Sequence, residues 1–99
     1  MIDCAPPGFR LGRLVATPEA LDQLRRLQVD PLDLVRRHHL GDWGDLEEPD
    51  IQTNLEALQT GARLMSAYVI EDITFWVITE AENDCSIRQS TTLLLPSDA

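Results

Sequence analysis

The stretch His38-His39-Leu40-Gly41-Asp42-Trp43-Gly44-Asp45-Leu46 joins a helical first half to a second half that turns strand-rich. Two Gly residues bracket acidic and aromatic positions, two His precede them, and Glu47, Glu48 and Asp50 follow as an acidic tail. Short Gly-bounded turns that carry Trp and carboxylates are places where a rigid scaffold presents function. The sequence on either side of this joint decides the fold.

Upstream, Asp30-Pro31 reads as a helix start, with a capping side chain and then proline at the first helical position. Leu32, Leu34 and Val35 supply apolar positions, and Gly41 is the natural stop. Arg36, Arg37, His38 and His39 fall in the last turn, where positive charge suits the helix dipole. One helix earlier, Thr17-Pro18-Glu19 gives the same start signal. There Leu21, Leu24 and Leu27 form an apolar stripe, while Asp22, Arg25 and Arg26 face outward. Leu11–Ala16 predicts a short strand interrupted by Gly12. Residues 1–10 read as an irregular lead-in broken by Pro6-Pro7-Gly8.

Downstream, Pro49 opens a third helix, with Ile51, Leu55 and Leu58 as its stripe and Gly61 as its terminator. Asn54 lies on that stripe, either as a satisfied core amide or aimed at the central loop. The period then changes. Arg63–Ile70 and Thr74–Thr79 are rich in β-branched and aromatic residues, with Glu71-Asp72-Ile73 as a hairpin-length connection. Thr91–Leu95 predicts a last strand ended by Pro96. This order predicts an α+β domain over residues 11–96, with a short tail at 97–99. Its antiparallel sheet of three to four strands carries about three helices packed on one face.

Composition sets the surface. Seventeen acids against eight bases give a net charge of −9, and every base is Arg. Such a surface repels phosphate backbones and attracts basic partners, so direct nucleic-acid binding is not expected. Cys4 and Cys85 form no Cys-x-x-Cys pair and fit free thiols in a reducing cytosol. The first residues show no basic region followed by an apolar one, and no apolar run approaches the ~20 residues of a membrane span. The expectation is a soluble cytoplasmic protein with no membrane contact.

Several segments occur in an order that resembles one family. They are Leu11–Pro18, His38 with Gly41-Asp42-Trp43-Gly44-Asp45-Leu46, Asn54, Arg63-Leu64 with Ser66-Ala67-Tyr68, Trp76–Ala81 and Thr91–Pro96. The family is one of small bacterial proteins carried on plasmids, integrative elements and phages. Its members are labelled plasmid-related, hypothetical or, in some cases, type I restriction subunit. The resemblance implies a mobile-element setting rather than a mechanism. This chain departs from the pattern at the hairpin, where Asp72-Ile73 stands in place of Asp-Gly. It departs again before the last strand, where the family's Glu-Ala-Asp-Arg-Ser is replaced by the longer, more acidic segment 80–90, with Arg88 as a candidate substitute for the family's Arg.

Three chemistries compete for these residues. His38, His39, Asp42 and Asp45 are metal-binding types, but their spacing matches no standard site, so neither metal nor cofactor is expected. His38, Asn54, Tyr68, Glu80 and Arg88 could form a metal-independent acid–base site for RNA cleavage. Its convergent core would be His38, Asn54, Arg63 and Glu80, on an element order that resembles small RNase folds of the colicin and RelE-like group. The acidic charge opposes that reading.

The third chemistry is partner binding through Asp42, Asp45, Glu47, Glu48 and Asp50 with Glu80, Glu82 and Asp84. Trp43 joins them as an anchor if exposed, and otherwise plugs the gap between helices and sheet. Carboxylates on a rigid face mimic nucleic-acid phosphates and are steered into Arg/Lys channels. The leading expectation is therefore a non-enzymatic inhibitor of a host defence complex, a CRISPR effector or restriction enzyme. A nuclease-like enzyme centred on His38 is the alternative.

Overall fold

A computed structural model describes residues 9–99, so most of the expected lead-in, with Cys4 and Pro6-Pro7-Gly8, lies outside the described residues. The elements run β1 (Arg13–Ala16), α1 (Pro18–Leu27), α2 (Pro31–His39), α3 (Glu48–Thr60), β2 (Leu64–Ile70), β3 (Ile73–Thr79) and β4 (Ser90–Leu94). The architecture is α+β. Sheet order is β1-β4-β3-β2, antiparallel except where β1 runs parallel to β4. The sheet is thus mostly antiparallel, as expected, with one parallel pair added at its β1 edge. That pair follows from topology: three helices separate β1 from β2, long enough to carry the chain back before the sheet closes.

The caps form where their side chains dictate. Thr17 Oγ1 accepts the Ala20 N–H at 3.3 Å, and Asp30 Oδ1 accepts the Leu32 N–H at 2.9 Å. Gly61 ends α3 at φ 82°, a conformation glycine takes without steric cost. In α3 the stripe is rotated from the expected one. Asn54 and Ala57 are buried and Ile51 and Leu58 half-buried, whereas Leu55 is exposed. The Asn54 amide is satisfied by one residue, donating to the Met65 carbonyl at 2.6 Å and accepting its N–H at 3.1 Å. Two strong backbone bonds at position 54 outweigh the apolar gain of turning Leu55 inward.

All three helices lie on one sheet face. Ala20 and Leu24 of α1 and Leu34 of α2 pack with Tyr68, Phe75, Val77 and Leu93. Ala57 of α3 packs with Leu64, Trp43 and Phe9 in a second cluster. The inward strand residues share one parity, fixed by the pairs Tyr68↔Phe75, Val77↔Leu93 and Thr79↔Thr91. Trp76, of opposite parity, is half-buried on the other face. Pro96 and the first two residues of the expected tail form a 3₁₀ turn (Pro96–Asp98), and the Asp98 carboxylate accepts the Thr17 hydroxyl at 2.7 Å.

The hairpin between β2 and β3 corrects the expected connection. Ile70 pairs with Ile73, so the turn is the two residues Glu71 and Asp72, both left-handed at φ 48° and 70°. Positive φ at both positions is the type I′ geometry that matches strand twist. Neither residue is glycine, and a side chain in this region costs about 1 kcal/mol. Replacing the turn by Asn-Gly (Glu71→Asn with Asp72→Gly) is expected to raise stability by about 1 kcal/mol. Thermal unfolding would show a midpoint about 5 °C higher. An unchanged or lower midpoint would mean that the turn stores no strain.

Candidate functional site

The Gly-Asp-Trp-Gly-Asp segment lies against the outer edge of β2. Ala67 donates its N–H to the Trp43 carbonyl at 3.2 Å, Asp45 donates to the Ala67 carbonyl at 2.6 Å, and Gly44 pairs with Ala67 as a parallel bridge. The Asp45 carboxylate accepts the Val69 N–H at 2.8 Å. A Cβ at Gly44 would stand 2.1 Å from the Ala67 carbonyl oxygen, so only glycine allows this approach. The segment thus satisfies edge groups that would otherwise stay open.

Asp42 holds the corner. Its carboxylate accepts the Gly44 N–H at 3.1 Å and the Arg37 Nε–H at 2.7 Å. The Arg37 bond holds the Asp42 carboxyl below its usual range, with help from the Gly44 N–H against the opposing effect of burial. The Arg37 guanidinium also lies 4.4 Å over the Tyr68 ring, a cation–π contact. Tyr68 donates its hydroxyl to the Asp42 carbonyl at 2.6 Å, and burial pushes that phenol up to about 12. Asp42 and Asp45 are therefore structural ligands of the joint as well as surface acids. The Trp43 ring is 7% exposed and packs against Phe9 and His38 at 6.3 and 5.6 Å between centroids. It faces the core, which corrects its reading as an exposed contact and matches the gap-filling one.

His38 is fully enclosed, and its two ring nitrogens meet Ser66 Oγ at 2.6 Å and Thr79 Oγ1 at 2.8 Å. Thr79 Oγ1 lies 2.7 Å from Thr91 Oγ1, which donates to the Leu11 carbonyl at 2.7 Å. One proton per hydroxyl fixes the sense of this chain. Thr91 spends its proton on Leu11, so Thr79 donates to Thr91 and must accept from His38 Nε2–H. With His38 held neutral by its lowered pKa, Ser66 then donates to Nδ1. Burial, reinforced by the electrostatic effect of neighbouring His39 and Arg88, lowers the His38 pKa to about 4. The chain of groups joins α2, β2, β3, β4 and the approach to β1. Reading the residues one at a time missed Ser66, Thr79 and Thr91. The available signal was polar side chains at the inward parity of three strands.

The other expected residues are scattered. Asn54 and Arg63 line one small cleft with Leu46, Asp50, Thr53 and Met65, which does not include His38 or Glu80. Glu80 is exposed, and it is its carbonyl that accepts from Arg88 Nη1 at 3.0 Å. Arg88 is 4% exposed and donates further to the Ala62 and Ala57 carbonyls at 2.7 and 3.1 Å, closing the C-terminal end of α3. Burial lowers its pKa, opposed by the Glu82 charge.

His38, Asn54, Arg63 and Glu80 thus do not converge on one open surface. Among the described residues, no group of three or more His, Cys, Asp or Glu could hold a metal ion. No described helix is long and apolar enough to cross a membrane.

The acids Glu47, Glu48 and Asp50 are exposed at the N-terminal end of α3, where their charge suits the helix dipole. Glu82 donates its N–H to the Gly61 carbonyl, which puts the exposed 80–84 acids beside the opposite end of the same helix. Thirteen residues of helix separate the two groups by about 20 Å. The three ion pairs among the described residues use Asp22, Asp33 and Asp42, and so none of these six acids. No protein-family model, curated protein or solved structure matches this chain.

Proposed function

We propose that the chain is a non-enzymatic protein-binding module whose α3 end occupies a basic nucleic-acid-binding surface. The partner class is a host defence complex, a CRISPR effector or restriction enzyme, which suits the mobile-element setting that the resemblance implies. One observation carries the reading: Glu47, Glu48 and Asp50 at one end of α3, and Glu80, Glu82 and Asp84 beside its other end, are exposed and form no ion pair among the described residues. Carboxylates grouped about 20 Å apart at the two ends of a helix offer an Arg/Lys channel a substitute for phosphates. With a net charge of −9, long-range steering adds to their attraction. The enclosed His38 ring offers no surface to a substrate, so the acid–base alternative has no observation in its favour.

The test is DNA cleavage by a purified type I restriction complex and by an RNA-guided effector complex, with the chain added across a salt series. Inhibition of at least one is expected at low salt, declining as salt screens the contact. The variant Glu47→Lys, Glu48→Lys, Asp50→Lys, Glu82→Lys is expected to lose at least tenfold in potency. It spares Asp42 and Asp45, whose reversal would also break the joint. Wild-type potency in that variant, or no inhibition of either complex, would overturn the reading.

A further inference from the structure

The opposite end of the sheet carries a second surface. β1 is an edge strand, and its Arg13 and Thr17 N–H groups point at β4, bonding Gln89 and Leu93 carbonyls at 3.0 Å each. By strand alternation Leu14 and Ala16 turn their N–H and C=O groups to the outer edge, where no described residue pairs with them. Of the seven large hydrophobic side chains exposed among the described residues, four flank this edge: Leu14, Val15, Leu32 and Ile87. Leu14 and Leu32 rim two adjoining hollows of about 100 and 210 Å³ between β1 and α2, with Val35 between them. Val15 and Ile87 lie together on the other side of the strand.

From these features we infer that β1 and the groove beside α2 accept an extended peptide segment as an added strand, one that alternates apolar side chains with carboxylates. The open main-chain groups supply the pairing, and the β1–α2 hollow takes every second side chain. Charge selects the occupant. In a chain of net charge −9, the side chains lining this region include Arg13, Arg36 and His39 and no Asp or Glu. Arg36 is bridged to Asp33 at 3.0 Å, whereas Arg13 forms no ion pair among the described residues. A second copy of the chain is a poor fit, because a two-fold axis would set this basic edge against itself.

The test is selection from a phage-displayed random peptide library, then titration of the enriched peptides with the whole chain and backbone amide NMR. Enriched peptides are expected to alternate apolar and acidic residues, and to shift and protect the Leu14 and Ala16 amides. Ala16→Pro removes an edge N–H and leaves the β4 ladder in place, so binding should fall at least tenfold while the fold is retained. Exchanging the peptide's Glu for Lys should weaken it at least fivefold. If Ala16→Pro fails to fold, Leu32→Glu, which places a carboxylate on the groove rim, serves in its place.

No enrichment, enrichment of basic peptides, or equal binding by the fold-intact variant would overturn the inference. So would sedimentation showing a dimer that Ala16→Pro dissociates, since the edge would then belong to a second copy.

Discussion

His38→Ala is expected to lower the unfolding free energy by about 4 kcal/mol, read from urea denaturation at pH 7.5. Two costs combine. The ring leaves a hole beside Phe9 and Trp43, whose rings lie 5.4 and 5.6 Å from it between centroids. The Ser66 and Thr79 hydroxyls also lose their partners at buried positions, where an unmet polar group is expensive. A domain of this size has roughly 5–15 kcal/mol in total, so the variant should be close to unfolding. His38→Gln restores one hydrogen bond and should recover about half of the loss.

The same group makes the fold acid-sensitive, and the sign follows from its neutral state. The His38 pKa falls from 6.5 to about 4 on folding, so the unfolded chain binds a proton that the folded chain resists. Its stabilisation is complete above pH 6.5 and declines as pH falls towards 4, by roughly 3 kcal/mol across that window. The Asp42–Arg37 pair is lost only at more acid pH, because its carboxyl is held below the usual range. Relief of self-repulsion among the acids acts in the opposite direction in both proteins. Subtracting the profile of His38→Gln from that of the wild type therefore isolates the imidazole. Parallel profiles would refute the neutral, enclosed ring.

Arg88→Ala is expected to cost about 3 kcal/mol. Its guanidinium spans three carbonyls from two separate segments, Ala57 and Ala62 at the end of α3 and Glu80 after β3. Removing it leaves buried acceptors and leaves the Glu82 N–H to Gly61 carbonyl bond as the remaining hydrogen bond from segment 80–88 to the end of the helix. Arg88→Lys should recover less than half, because one ammonium nitrogen cannot occupy the separate positions in the guanidinium fork from which Nη1 and Nη2 reach these carbonyls. Urea denaturation measures the loss, and amide exchange should locate it at residues 80–88. A near-neutral Lys variant would mean that charge alone, rather than the fork, holds the segment.

These two residues also mark the limit of what could be read from the chain. Helix boundaries were legible because their causes are local: Thr17-Pro18 and Asp30-Pro31 cap with their own side chains, and Gly61 takes the left-handed stop. The strands of the hairpin were legible for the same reason, as runs of β-branched and aromatic residues. The turn between them was misplaced by one residue, because β2–β3 register puts Ile73 in the strand and leaves the strained positions to Glu71 and Asp72.

By itself, then, the sequence determined the elements, the α+β class and the acidic surface, since each depends on neighbours a few residues apart. Tertiary structure alone decided that β1 joins β4 in parallel, that Asn54 rather than Leu55 faces inward, and that Trp43 fills the core. It also decided that His38 meets Ser66, Thr79 and Thr91 in a chain of hydrogen bonds rather than an open cleft. The reason is burial. A polar side chain's role is set by the partners it must find once water is removed, and for His38 those partners lie 28 and 41 residues along the chain.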